Sequence, residues 1–175
     1  MIKAVVVCPG RGTYNKTELG YLQQYFPNSA LLDQFDLQRQ AAGQETIRDL
    51  DGATRFSIAT HTRGDNASAL IFAATVGDFL SIDREQVEIV GVTGNSMGWY
   101  SALACGGAVS MPDGFQVANT MGRLMQASLI GGQLIYPFVG EDWVDRPERR
   151  QALLEKVRDI GARDGIELDL SIDLG

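Results

Sequence analysis

The sequence predicts an α/β fold built on a parallel sheet, and three observations predict it. Two short valine-rich runs read as strands, Ile2–Cys8 and Val87–Thr93, and the first is a continuous apolar run, the pattern of a strand covered on both faces. The stretch between them has mainly helical periodicity, and strands joined through a helical connection pair in parallel. Each run ends in a glycine-bearing loop, the place where ligands of open α/β sheets gather.

The elements follow in order. Ile2–Cys8 ends at Pro9-Gly10-Arg11-Gly12, a loop that presents backbone N–H groups beyond the end of a strand. Leu19, Leu22 and Phe26 fall at helical spacing over Thr17 to Phe26, and Pro27-Asn28 stops that helix. Ser29 caps a second helix through Ala41, with Leu32, Phe35 and Arg39 spaced one turn apart. Gly43 to Asp65 is polar and irregular, with a short helix at Thr46 to Leu50 and the chain's one histidine, His61. From Asn66 to Leu80 the apolar residues cover most of a helix's circumference, so this helix is expected to be buried. Asp83 to Gln86 turns the chain into the second strand.

After that strand, Trp99 to Gly107 is a helix of small residues, a composition that lets its backbone approach the sheet. Ser110 and Pro112-Asp113 open a further helix carrying Phe115, Val117, Ala118, Met121, Leu124 and Met125. The character changes at Gly131-Gly132. Gln133 to Val139 reads as a strand, with Pro137 favouring an edge position. Asp145 and Pro147 supply a cap and a first-turn proline for a helix to about Arg163, with Leu153, Leu154, Val157 and Ile160 in one stripe. Ile166 to Leu174 alternates apolar and polar residues as a half-buried strand does. The expected division is therefore a core over residues 1–130 and a strand-helix-strand unit over 131–175. That unit ends with its last strand still running, so further chain is expected downstream.

Composition narrows the function. A chain of 175 residues at 45% hydrophobic supports one ordinary core, and a net charge of −7 with no basic stripe argues against a nucleic-acid binder. Cys8 and Cys105 read as two reduced, buried thiols rather than a disulfide framework, and no ligand spacing suggests a metal. No signal segment and no apolar run of membrane-spanning length is present, so a cytoplasmic protein without a membrane partner is expected.

The chemistry concentrates at Gly94-Asn95-Ser96-Met97-Gly98, a Gly-x-Ser-x-Gly pentapeptide entered by a strand and left by a helix. The turn is too sharp, and strand and helix too close, for a side chain at position 94 or 98. Ser96 is placed as a nucleophile would be. Such a serine needs a base to take its proton, and the oxyanion it creates needs preorganised donors.

Three segments resemble the acyltransferases that move acyl groups between coenzyme A and acyl carrier protein, the malonyl-CoA:acyl-carrier-protein transacylase family. Cys8-Pro9-Gly10-Arg11-Gly12-Thr13-Tyr14 is similar to the family's Phe-Pro-Gly-Gln-Gly-Ser-Gln. Gly94 through Leu103 is similar to Gly-His-Ser-Leu-Gly-Glu-Tyr-Ser-Ala-Leu. Gly107-Ala108-Val109-Ser110 through Gln126 is similar to Gly-Ala-Leu-Ser, Asp and Arg-Gly-x-x-Met-Gln. Order and spacing agree over about residues 5 to 126.

The resemblance implies an α/β-hydrolase-like core followed by the start of a ferredoxin-like subdomain, and an N-terminal portion of such an enzyme. It implies an acyl-serine on Ser96, formed from a coenzyme A thioester as substrate and passed to an acyl carrier protein thiol, with no permanently bound cofactor. It assigns the oxyanion donors to the backbone N–H groups of Met97 and Arg11. It places Asn95 and Met121 at the acyl pocket, Asn95 where the family has histidine and Met121 where malonyl enzymes have a carboxylate-binding arginine. Arg123, two residues on, lies about 200° around the helix and does not substitute. A methionine there favours an uncharged acyl chain, because an unpaired carboxylate is costly to desolvate. The family's basic histidine falls beyond the matching region, so the missing C-terminal half is an expected partner and His61 is the one candidate base within the chain. An esterase or thioesterase built on the same turn, and a non-catalytic fragment lacking the base, are the alternatives.

Overall fold

A computed structural model describes residues 1–128, 131–132, 134, 136–171 and 173. The chain divides into two units, Met1–Ile130 and Gly131–Gly175. In the first, two parallel strands, β1 (Ile2–Cys8) and β2 (Val87–Gly94), form the sheet found among the described residues. Their register runs from Ile2 opposite Val87 to Cys8 opposite Gly94, with a bulge that leaves Val90 without a partner between Ala4–Ile89 and Val5–Gly91. The α/β class and the parallel pairing are as the sequence predicts.

Helices occupy the interval between the strands and the region after them. These are α1 (Tyr21–Tyr25), α2 (Ser29–Ala41), α3 (Ile47–Asp51), α4 (Ile58–His61), α5 (Gly64–Ser81), α6 (Gly98–Cys105) and α7 (Met111–Ala127). The predicted helix from Thr17 to Phe26 is broken: a 3₁₀ turn at Lys16–Glu18 precedes α1, and Gly20 sits between them at φ 85°. A left-handed residue cannot continue a right-handed helix. α2 starts at Ser29, but the capping side chain is that of Asn28, whose Oδ1 accepts from the N–H of Leu31 at 3.1 Å. Thr46 and Ser110 cap α3 and α7 in the same way, accepting from Asp49 and Asp113. The four-residue α4 was hidden in the irregular segment because it is too short to show a period.

The core lies where α5 passes against α7 and α6, with Phe26, Phe35, Phe72 and Phe115 in a continuous aromatic cluster. α5 is buried around most of its circumference, as expected. Arg39, spaced as an apolar residue on α2, is fully buried. Its guanidinium donates to the carbonyls of Glu45 and Asp65 and to the side-chain oxygens of Asn66 and Asn119, tying α2 to α5 and α7. Burial pulls its pKa down to about 10, against the carboxylates of Asp65, Glu45 and Asp36 that raise it.

One expectation about the strands is corrected. Only the inner face of the sheet is covered: Ala4, Val6 and Cys8 turn toward the helices, whereas Val5 and Val7 are 58% and 66% exposed and Val90 is 54% exposed. The consecutive apolar pattern describes a strand suited to cover on both faces, and among the described residues nothing covers the outer one.

The second unit holds α8 (Pro147–Gly161), whose Leu153, Leu154, Val157 and Ile160 form the expected half-buried stripe. Its N-cap is Arg146 rather than Asp145, and Pro147 opens it. Arg150 pairs with Asp173 and lies over the Phe138 ring at 5.9 Å. The strands expected on either side do not form among the described residues of 133–139 and 166–174. Gln133, Ile135, Ile172 and Leu174, which belong to those expected strands, lie outside the described residues, as does Gly175.

Candidate active site

Ser96 stands on the turn from β2 into α6, at φ 54°. A β-carbon in this left-handed region is strained, by about 1–2 kcal/mol, and such strain persists only where the surroundings over-determine it. The surroundings are the two glycines. A β-carbon added to Gly94 would overlap the Gly98 carbonyl, and one added to Gly98 would overlap the Cys8 carbonyl. Strand, turn and helix therefore approach closer than any side chain allows. Ser96 and Asn95 are exposed, while Met97 is buried behind the turn.

The Pro9-Gly10-Arg11-Gly12 loop lies against this turn. The N–H of Asn95 donates to the Cys8 carbonyl at 3.1 Å, extending the ladder between β1 and β2 by one bond. A β-carbon on Gly10 would stand 2.8 Å from the Asn95 carbonyl and 3.2 Å from the Ser96 Cβ. The loop is anchored from its far side. The Thr13 hydroxyl donates to the Gly10 carbonyl at 3.1 Å, and the Asn15 amide donates to the Gly12 carbonyl at 2.9 Å. Tyr14 is buried and its hydroxyl donates to Asp51 Oδ1 at 2.6 Å. The same carboxylate accepts the N–H groups of Leu22 and Gln23 at the start of α1. Burial, then the bond to Asp51, pushes the Tyr14 phenol well above its ordinary range.

Tyr14 and Asp51 are thus part of the site's support, and sequence reasoning missed them. They are 37 residues apart, a separation that leaves no local pattern to read. The Gly10 contact with Ser96 was equally invisible, although the glycine itself was a signal.

The N–H groups of Met97 and Arg11 donate to no other group among the described residues, and neither does the Arg11 guanidinium, which is exposed. Ser96 Oγ has no hydrogen-bond partner among the described residues. Met121 is half-buried on α7, and Arg123 is exposed on the same helix.

His61, the candidate base, is held among α3 and α4. It is 2% exposed and stacked on Phe56 at 4.8 Å. Its Nδ1 lies 3.0 Å from both the backbone nitrogen and the carbonyl oxygen of Ser57, and its Nε2 lies 3.0 Å from the Leu50 carbonyl. Both ring nitrogens are taken up by backbone groups of Ser57 and Leu50, and the ring serves to close α4 and the end of α3. Among the described residues no cluster of three metal-ligating side chains occurs, and no helix is long and apolar enough to cross a membrane.

Comparison with known proteins places the fold. No protein-family model matches the chain and no curated protein does. Among solved structures, the acyl-carrier-protein S-malonyltransferase of Bartonella henselae aligns over 95% of this chain and 50% of its own length, at 21% identity and a TM-score of 0.61. A malonyl-transacylase in complex with its type II PKS acyl-carrier protein aligns over 93% and 49%, at 18% identity and a TM-score of 0.63. The MCAT of Mycobacterium tuberculosis aligns over 71% and 40%, at 24% identity and a TM-score of 0.57. The chain therefore has a fold found in malonyltransferases and spans about two fifths to half the length of these structures.

Proposed function

We propose that this chain carries the nucleophile half of an acyltransferase, in which Ser96 accepts an acyl group from a coenzyme A thioester and passes it to the thiol of an acyl carrier protein. The observation that carries the reading is the strained Ser96, held at φ 54° on a glycine-flanked strand-to-helix turn with the Gly10 loop packed against it. The fold shared with malonyltransferases supports the reading, and on this view residues 1–130 are an α/β-hydrolase-like acyltransferase core.

The physical roles divide as follows. Ser96 Oγ attacks the thioester carbonyl, and the free N–H groups of Met97 and Arg11 receive the developing oxyanion beside the N-terminus of α6, where the helix dipole favours negative charge. Collapse of the tetrahedral intermediate expels the coenzyme A thiolate and leaves an acyl-serine. The carrier thiolate then attacks the ester and regenerates the serine. The base that takes the Ser96 proton is supplied from outside the 175 residues, since His61 is engaged at both ring nitrogens. Met121, where malonyl enzymes place arginine, selects an uncharged acyl chain over a dicarboxylic one.

The test supplies the base chemically. The chain is incubated with acetyl-CoA or malonyl-CoA in imidazole buffer, and intact-mass spectrometry follows the acyl adduct. The expected result is an adduct on Ser96, formed faster from acetyl-CoA and absent in Ser96→Ala. An adduct that survives Ser96→Ala, or none at all, overturns the proposal; faster reaction with malonyl-CoA overturns the role given to Met121.

A further inference from the structure

The Arg11 N–H belongs to the peptide unit that begins at the α-carbon of Gly10. Gly10 lies so close to the Asn95 carbonyl and to Ser96 Cβ that only glycine fits. The same lack of a β-carbon leaves the peptide after it free to turn, since dihedral angles closed to other residues are open to glycine. Close approach to the serine and looseness of the peptide therefore have one cause.

A side chain further along the loop supplies the restraint. The Thr13 hydroxyl donates to the Gly10 carbonyl at 3.1 Å. A trans peptide is planar, with C=O and N–H pointing in opposite directions, so a group that holds the Gly10 carbonyl also sets the direction of the Arg11 N–H. Thr13 is held in turn by its neighbours. The buried Tyr14 donates its hydroxyl to Asp51 at 2.6 Å. The Asn15 side-chain amide donates to the Gly12 carbonyl at 2.9 Å, and the Asn15 N–H donates to Glu18 Oε2 at 2.6 Å. The branched β-carbon of Thr13 narrows its choice of χ1, which keeps the hydroxyl on the carbonyl.

We infer that Thr13 is a positioning residue for the oxyanion donor: its hydroxyl keeps the Gly10–Arg11 peptide turned so that the Arg11 N–H serves Ser96. The inference rests on the acyl-serine reading of Ser96, and it adds a residue that acts through the peptide and not on the acyl group. Without the hydroxyl, a coupled rotation about Gly10 ψ and Arg11 φ reverses the peptide while moving no side chain far. The reversed peptide presents a carbonyl oxygen in place of the N–H, and that oxygen repels the oxyanion the N–H would bind.

The test compares Thr13→Val, which keeps the branched shape and removes the donor, with Thr13→Ser, which keeps the donor. Two measurements are made on each 175-residue chain: the rate of acyl-Ser96 formation from acetyl-CoA in imidazole buffer, and 15N relaxation dispersion of the backbone amides. In Thr13→Val the limiting acylation rate is expected to fall about tenfold, the bias that one hydrogen bond puts on two orientations. Half-saturation by acetyl-CoA is expected to stay the same, because no substrate contact is removed. The Arg11 amide of Thr13→Val is expected to gain exchange on the μs–ms scale, and Thr13→Ser to restore both rate and dispersion. Full-rate acylation by Thr13→Val, an Arg11 amide without new exchange, or an equal loss in Thr13→Ser overturns the inference. If the unsubstituted chain forms no acyl-Ser96, the acyltransferase reading falls on its own account. The Arg11 dispersion then decides the role of Thr13: exchange in Thr13→Val and none in Thr13→Ser upholds its hold on the peptide, and any other pattern overturns it.

Discussion

Gly10 and Ser96 belong to loops far apart in sequence, yet a β-carbon on Gly10 would stand 3.2 Å from the β-carbon of Ser96. The absence of a side chain at Gly10 lets the loop that carries Arg11 lie against the serine turn. Gly10→Ala forces the loop outward, because the Asn95 carbonyl at 2.8 Å is backbone and cannot yield as a flexible side chain would. Loss of one oxyanion donor costs on the order of 10² in rate. The variant is expected to form acyl-Ser96 that much more slowly while keeping its far-UV circular dichroism; an unchanged acylation rate would separate Arg11 from the chemistry.

The strain at Ser96 has a thermodynamic counterpart. Glycine adopts φ 54° without the clash a β-carbon brings. Ser96→Gly is therefore expected to raise the stability of the chain by about 1 kcal/mol, while Ser96→Ala leaves it nearly unchanged, since alanine keeps the β-carbon. Urea unfolding midpoints of the three proteins check this. A more stable protein lacking its proposed nucleophile would show that the turn is held for function at the expense of stability.

These relationships were legible to different degrees in the sequence. The valine runs, the glycine-flanked serine and the buried α5 could be read because each depends on residues near in sequence. The 3₁₀ break at Gly20 and the short α4 could not, since a single left-handed residue or one helical turn leaves no period. Arg39 was spaced one turn from Leu32 and Phe35 on α2, but its burial could not be read, because three of its four acceptors, at Asp65, Asn66 and Asn119, are distant in sequence. The Tyr14–Asp51 anchor was missed for the same reason. The apolar outer face of the sheet was legible as pattern and misread as covered, because a sequence shows that a strand is suited to a neighbour and not whether residues 1–175 contain one.

His61 offers a test that separates structure from chemistry. Its two ring nitrogens lie against the part-buried backbone of Ser57 and the buried carbonyl of Leu50. His61→Ala leaves the buried Leu50 carbonyl unpaired, at a cost of about 1–3 kcal/mol, and removes the ring from its stack on Phe56. The thermal midpoint is expected to fall by several degrees. At a temperature where the variant remains folded, the imidazole-supported acylation of Ser96 is expected to match that of the unmodified chain. A specific loss of acylation without loss of stability would return His61 to the reaction.

Cys8 and Cys105 make the stability of the chain depend on alkaline pH. Both thiols are buried and free, Cys8 at the end of β1 and Cys105 at the end of α6. Burial raises both, and the neighbouring Cys8 adds to the effect on Cys105, which is pushed up to about 12 from an ordinary value of 9.0. Raised acids of this kind are neutral in the folded chain while the unfolded chain ionises, so the unfolded state binds fewer protons. The stabilisation they contribute is complete below about pH 9 and is lost as pH rises from there toward about 12. The urea midpoint is expected to be flat between about pH 7 and 8.5 and to fall above it, and Cys105→Ala is expected to flatten part of that fall. Thiol labelling by iodoacetamide gives an independent reading. Both cysteines should resist it in the native chain near pH 8 and react once urea unfolds the protein, because a thiol held neutral and out of solvent presents no thiolate. Rapid labelling of the native chain would show that the end of α6 opens on its own, and would place the support of the Ser96 turn elsewhere.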